Sequence, residues 1–365
     1  MQRILGGVAL GLLGAQSVYA GGVERSSQST AILFEEGTYA EFSFGFVSPS
    51  VSGVQDGTTT STGNVANSFT SPSLGYKTKL SDNIDVALII DQPLGADITY
   101  AGDPAYPLDG SSAVLDSLAV TALIKYRFDN NISVYGGLRN QGGSGDVTVN
   151  LGPVNYDLQT TTETDFGYVV GVAWEKPEIA ARVALTYNSA INHDFVGTET
   201  LFGSTTSTPF EIEIPQSVNL EFQTGIAADT LLFGSVRWVD WTEFDVAPAQ
   251  FVGLLGAPLV SYDEDVFTYN IGIGRRFNEN WSGAISLGYE ETQGGFSSNL
   301  GPTDGFTSLS VGATYTTGNI EITGGARYIW IGDATTQNPL ATGTPLGQFE
   351  DNSGLAVGFK VAYTF

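Results

Sequence analysis

Apolar residues alternate with polar or small residues along most of the chain. In the C-terminal segment the odd positions from Leu355 to Phe365 are apolar or aromatic, whereas the even positions from Ala356 to Thr364 are small or polar. The same alternation occurs at 118–128 and 320–330, and no stretch has a convincing helical period. A period of two indicates strands with one apolar and one polar face. We therefore expect an all-β fold.

The lengths of the connections between these strands alternate between short and long. Very short turns of Asp, Asn, Gly, Pro or Ala occur at about 81–83, 129–131, 176–178, 227–229, 278–280 and 317–319. Longer polar connections occur at about 49–67, 92–115, 140–160, 193–209, 243–263, 293–303 and 333–350. Tight turns at one end and long loops at the other are typical of outer-membrane barrels. Six turns and seven loops predict a 14-stranded antiparallel transmembrane β-barrel over residues 38–365.

Large aromatic residues recur where the predicted strands end. We expect these side chains to lie at the two membrane interfaces, where aromatic residues are enriched. They are Trp174, Trp238, Trp241, Trp281, Tyr315 and Trp330. The terminal Phe365 also suits a C-terminal strand that the barrel-insertion machinery recognises, which makes this machinery an expected partner.

Two segments precede the predicted barrel. Residues 1–20 carry Arg3, an apolar run of about a dozen residues and a small final residue, Ala20, which is the pattern of a signal peptide. Residues 21–37 lack strand alternation and include the apolar run from Ala31 to Phe34. We interpret residues 21–37 as a short hatch segment inside the lumen; a disordered periplasmic tail is the alternative. The expected location is the outer membrane of a Gram-negative bacterium.

Composition narrows the classes of function. The formal net charge is -25, so the chain would repel nucleic acid. The chain has no cysteine and one histidine, which excludes a disulfide framework and a metal site built from these residues. No cofactor is expected.

Several stretches, in an order that fits fourteen strands, resemble the FadL family of outer-membrane transporters, which includes fatty acid channels and TodX-like aromatic hydrocarbon channels. These stretches are Phe42–Gly53, Ala184–Ser189 with Ile191, His193 and Gly197, Ile214–Leu220, Val239–Phe244, and Gly301–Asp304 before Phe306. The resemblance implies a monomer that passively takes up hydrophobic molecules, long-chain fatty acids first and aromatic hydrocarbons as the alternative. Cargo would leave sideways through a gap in the wall while the hatch blocks the lumen. The chain departs from the family pattern because its hatch is short and lacks an Asn-Pro-Ala motif.

A hydrophobic cargo needs an apolar lining, and a fatty acid also needs a cation or donor for its carboxylate. Ile32, Leu33 and Phe34 of the hatch are candidate apolar contacts. Alternation directs a set of basic side chains into the lumen, and of these Arg139, near the predicted outer end of its strand, is the first candidate for the carboxylate. The other candidate cations are Arg182, Arg237, Arg327 and Lys360. The alternative is that these cations pair with luminal carboxylates and fill the barrel.

No motif indicates an enzyme. His193 is the only histidine, and no Gly-x-Ser-x-Gly motif accompanies it, so we interpret it as a polar surface residue of a loop. Asp263–Asp265 could hold Ca²⁺ or bridge lipopolysaccharide but lacks the spacing of a calcium loop, and a solvated acidic loop is the preferred interpretation. A general diffusion porin and an adhesion barrel remain alternative functions.

Overall fold

The strands with alternating apolar and polar residues form one closed antiparallel sheet. The computed structural model describes residues 22–152 and 154–365. Fourteen of its strands, numbered here along the chain with all others, form the barrel wall. They are β1 (Tyr39–Ser50), β4 (Phe69–Lys79), β5 (Ile84–Asp91), β7 (Ser112–Arg127), β8 (Ile132–Leu151), β10 (Glu163–Lys176), β11 (Ala181–Asn188), β14 (Ser217–Ala227), β15 (Thr230–Val239), β18 (Val266–Arg276), β19 (Trp281–Glu290), β20 (Phe306–Thr317), β21 (Ile320–Ile331) and β24 (Ser353–Thr364). The predicted signal peptide lies outside the described residues.

The first and last wall strands close the barrel. β1 pairs with β24 from Tyr39 opposite Thr364 to Ser50 opposite Ser353, and on its other side β1 pairs with β4. Closure removes the two free sheet edges that an open sheet would expose to lipid. The predicted fold, a 14-stranded antiparallel barrel, is confirmed.

The wall strands expose large apolar residues on their outer face. On β24, Leu355, Val357 and Phe359 are exposed, whereas Ala356 and Lys360 are buried in the lumen. The outer face is therefore the apolar one, which is the arrangement that a surrounding bilayer requires.

The short turns fall where the sequence predicts them. Asn131, Asp229 and Gly318 adopt left-handed backbone conformations in three of these turns. Asn, Asp and Gly tolerate this conformation best, so their presence explains why the strands reverse there.

Two of the predicted long loops are instead extended hairpins. β8 runs to Leu151 and pairs with β9 (Val154–Thr160), and β12 (Ile191–Leu201) pairs with β13 (Ser204–Ile214). The expectation of loops at 140–160 and 193–209 is wrong. One face of each hairpin carries small and polar residues, which made the segments look like loops, whereas the other face carries buried apolar residues. Val149 and Leu158 belong to that buried face.

The remaining elements lie at the long-loop end. They are β2 (Ser52–Gln55), β3 (Ser61–Asn64), β6 (Gly95–Thr99), β16 (Asp245–Val246), β17 (Val260–Ser261), β22 (Ala334–Gln337), β23 (Pro345–Phe349), the helix α1 (Ala249–Leu255) and a 3-10 turn at Trp241–Glu243. Two further 3-10 turns are Ala31–Phe34 and Pro177–Ile179. Within the described chain, no helix has the length and apolar character needed to span a bilayer.

The long-loop end has its own apolar core. Trp241 packs edge-on against Phe244 and contacts Tyr262, and only 1% of its surface is exposed. The expectation that Trp241 lies at the membrane interface is wrong, because the chain turns inward after β15. Trp174, Trp281 and Trp330 are exposed on the outer face.

Candidate functional site in the barrel lumen

The wall is interrupted between β4 and its neighbour. β4 pairs with β5 only from Leu74 to Lys79, and β5 ends at Asp91. The chain resumes as β6, which pairs with β7 and forms no ladder with β4 among the described residues. Residues 69–73 of β4 therefore have wall partners only on β1, and a gap opens beside them.

The hatch, of which residues 22–37 are described, backs this gap from inside. The backbone N–H groups of Arg25 and Ser26 donate to the carbonyl of Pro93, at 2.8 and 3.3 Å. The N–H of Gly95 donates to the Val23 carbonyl at 2.8 Å. The hatch thus supplies backbone partners at the interruption between β5 and β6, where the regular ladder stops.

Side chains of the hatch also contact the residues that border the gap. The guanidinium of Arg25 lies 4.5 Å from the ring centre of Phe69 on β4. The hydroxyl of Ser26 donates to Asp91 at 2.5 Å. Hatch residues therefore contact both strands that border the gap.

Two of the predicted cargo-binding cations contact the hatch. Arg237 forms a bidentate ion pair with Glu24, with its Nε atom 3.0 and 3.2 Å from the two carboxylate oxygens. Arg139 donates to Gln28 at 2.7 Å and to Thr121 at 3.0 Å. Arg139 lies in the middle of β8 rather than at its outer end, because β8 continues to Leu151.

Two buried lysines hold the second half of the hatch. Lys77 donates to the carbonyls of Glu35 and Gly37, at 2.9 and 3.0 Å, and Lys125 donates to the carbonyl of Leu33. Both ammonium groups also approach Asp85, at 2.7 and 3.3 Å. The sequence did not single out Lys77 because its contacts with the hatch are to backbone carbonyls, which no pattern of side chains identifies.

The predicted apolar hatch residues pack into the wall. Ile32 and Leu33 are buried in a cluster with Tyr39, Leu123 and Val169. Phe34 meets Tyr135 edge-on, and the guanidinium of Arg182 lies 4.6 Å from the centre of the Phe34 ring. These four predicted residues form one group that anchors the hatch.

A cavity of about 180 Å³ lies behind the gap. Ser71, Ser73 and Asp91 line it at the gap, and Arg327 and Lys360 line its far side. Lys360 is 3.3 Å from Glu41, and Arg327 stacks on Phe306 at 5.0 Å. Space for this cavity comes partly from Gly45, Gly358 and Gly325, inward-facing residues in register on three adjacent strands.

A second cavity of about 90 Å³ lies nearer the long loops and is mostly apolar. Leu94 and Val23 border it where the hatch meets the interrupted strand, and Phe244, Leu259 and Tyr262 roof it from the loop after β15. No Lys, Arg, Asp or Glu occurs among the described residues that line it. We call this space the outer cavity.

His193 lines the outer cavity and is 1% exposed. The interpretation of His193 as a polar surface residue is therefore wrong. The hairpin of β12 and β13 carries it inward, and the sequence placed no strand at that position.

A sequence profile of the family described as Outer membrane protein transport protein (OMPP1/FadL/TodX) matches residues 28–365. No curated protein matches the chain.

Solved structures share the fold at low sequence identity. A Pseudomonas aeruginosa FadL homologue superposes with a TM-score of 0.78 at 14% identity, over 96% of this chain and 100% of that one. The Pseudomonas putida toluene transporter TodX gives 0.65 at 11% identity, over 96% of both chains. The Ralstonia pickettii toluene transporter TbuX gives 0.64 at 13% identity, over 96% of this chain and 97% of that one.

Proposed function

Because the chain belongs to the OMPP1/FadL/TodX family of outer membrane transport proteins, we propose that it passes neutral hydrophobic molecules through the outer cavity and sideways out of the gap beside β4. The protein is an outer-membrane β-barrel channel for hydrophobic substrates. The observation that carries the choice of neutral cargo is the uncharged lining of the outer cavity.

The outer cavity suits a small apolar molecule. Burial of each methylene group contributes about 0.8 kcal/mol to binding. A carboxylate placed there would lose its hydration and meet no cation from the lining, which is strongly unfavourable. Aromatic hydrocarbons fit this chemistry, and the relatives TodX and TbuX are described as toluene transporters.

Long-chain fatty acid is the second candidate cargo. The cavity behind the gap is lined by Arg327 and Lys360, two of the predicted cations, and either could receive a carboxylate. Arg139 and Arg237, by contrast, already donate to the hatch.

The gap beside β4 supports a lateral route. It opens on the cavity behind it through Ser71 and Ser73, and the hatch covers it from inside. A hydrophobic molecule that leaves here enters the bilayer without crossing the aqueous periplasmic end of the lumen.

The test is uptake of labelled propylbenzene and labelled oleate by cells that lack their own transporter. The protein should raise uptake of propylbenzene more than that of oleate. The Ser73→Trp variant fills the cavity at the gap and should return uptake to the background of cells without the protein.

Ser235→Trp is the matched control, because Ser235 lies on the luminal side of β15, seven strands from β4 in the ring of fourteen. Equal loss of uptake in both variants would contradict the lateral route. Preferential uptake of oleate would replace neutral cargo with fatty acid.

A further inference from the structure

Several polar side chains interrupt the apolar lining of the outer cavity, and two of them are almost completely buried. Gln141 on β8 and His193 on β12 both line it, and each is 1% exposed. Amide and imidazole groups at this depth normally have hydrogen-bond partners.

Each side chain has one buried polar atom that accepts or donates no hydrogen bond among the described residues. Oε1 of Gln141 and Nδ1 of His193 are buried without a hydrogen bond. Nδ1 of His193 is 3.3 Å from Oδ2 of Asp165, but the two are not aligned for a hydrogen bond. Two other polar residues on the lining bind backbone groups: Ser117 accepts from the N–H of Leu94 and donates to its carbonyl, and Thr160 accepts from the N–H of Gly145.

The fold brings the two side chains to one corner of the cavity. Gln141 is directly opposite Asp165 in the pairing of β8 with β10, and Asp165 adjoins His193. Burial lowers the pKa of His193, and the carboxylates of Asp165 and Glu163 oppose that shift. The net result keeps the imidazole neutral at neutral pH, with one nitrogen that donates and one that accepts.

The chemistry of this corner matches a hydroxyl group. Gln141 and neutral His193 each offer a donor and an acceptor, and a hydroxyl can use one of each. A carboxylate would lack a cation, and a pure hydrocarbon would leave both side chains unsatisfied.

We propose that Gln141 and His193 select apolar molecules that carry one neutral hydroxyl group, such as alkylphenols. This inference rests on the proposed function, because it names the cargo class of the same cavity. The hydroxyl bridges the two side chains while the rest of the molecule packs on the apolar lining.

The experiment compares 4-propylphenol with propylbenzene, which differ by the hydroxyl group. Binding of each radiolabelled compound is measured by equilibrium dialysis with the full chain in lipid nanodiscs, so that no detergent competes for the cavity. The variants are Gln141→Met and His193→Phe, which keep side-chain size but remove hydrogen bonding. Gln223→Met is the matched control, because Gln223 lies on β14 and donates to the Ala180 carbonyl far from the outer cavity.

The unmodified protein should bind 4-propylphenol about tenfold more tightly than propylbenzene, since one net hydrogen bond corresponds to roughly that factor. Each cavity variant should lose this preference while retaining propylbenzene affinity, and Gln223→Met should keep it. Retained propylbenzene binding also shows that the variants are folded.

Equal binding of the two compounds by the unmodified protein would overturn the inference and leave the proposed function standing. A preference for 4-propylphenol that remained in both Gln141→Met and His193→Phe would also overturn the inference and leave the proposed function standing. If the unmodified protein bound neither compound, both this inference and the proposal that the cargo is neutral would be overturned.

Discussion

The ion pair between Glu24 and Arg237 should control how firmly the hatch is docked. Arg237 is 7% exposed and also donates to Ser217 and Asn219, at 3.0 and 2.7 Å, so it is fixed in place before it meets the hatch. Glu24→Gln keeps the shape of the side chain but removes its charge. The substitution leaves the buried guanidinium without its counter-ion, and the docked state loses stability.

The size of the effect follows from the geometry. Removal of one partner from a fully buried ion pair costs about 3–5 kcal/mol. The side chain of Glu24 is 15% exposed, and the amide oxygen of glutamine can still accept one hydrogen bond. We therefore expect a loss near the value of one charged hydrogen bond, about 2 kcal/mol, which corresponds to a roughly thirtyfold larger undocked population.

The assay uses a single introduced cysteine, which is unique because the chain has none. Ala31 is buried in the docked hatch, so Ala31→Cys should react slowly with a small water-soluble thiol reagent. Glu24→Gln should speed the reaction roughly thirtyfold. Asp82→Asn is the matched control, since Asp82 is an exposed acid in the turn between β4 and β5, outside the hatch, and it should leave the rate unchanged. Equal rates in both variants would refute the role given to Arg237.

Two further predictions concern other carboxylates. Glu199 is fully buried and accepts hydrogen bonds from Tyr156 and from two backbone N–H groups of α1. Glu199→Gln should therefore destabilise the loop that carries α1 by about 1–3 kcal/mol. The measurement is amide hydrogen exchange, which should become faster in α1. Burial is the largest influence on Glu35 in the hatch and raises its pKa to about 7, with Glu41 and Glu321 adding to the rise and Lys360 and Arg182 opposing it. A raised carboxyl pKa favours the docked state at low pH, and this advantage is lost as the pH rises from 4.5 to 7. The labelling rate at Ala31→Cys should therefore increase with pH over that range more steeply than in a Glu35→Gln background, and equal slopes would contradict this.

The barrel itself could be predicted from the sequence because each wall strand carries its signal locally. The alternation from Leu355 to Phe365 and the turn residues Asn131 and Asp229 suffice to place strands and reversals. A period of two also assigns side chains to the lumen or the membrane, which is why Lys360 and Arg327 face inward as predicted.

The contacts that define the candidate site are non-local and could not be read in the same way. Gln28 meets Arg139 across 111 positions, and Glu24 meets Arg237 across 213 positions. Alternation shows that an arginine faces the lumen but not which group occupies it. His193 was misplaced for a related reason, because its burial depends on β9 and β13 pairing with β12.

The interruption between β5 and β6 makes the hatch and the wall a single thermodynamic unit. The carbonyl of Pro93 and the N–H of Gly95 find their partners on the hatch, so withdrawal of the hatch leaves both groups unpaired and loosens the border of the gap. By reciprocity, whatever stabilises an open border also weakens hatch docking by the same free energy. A cargo molecule that binds in the gap therefore also weakens the docking of the hatch. Opening of the gap and undocking of the hatch are thermodynamically linked.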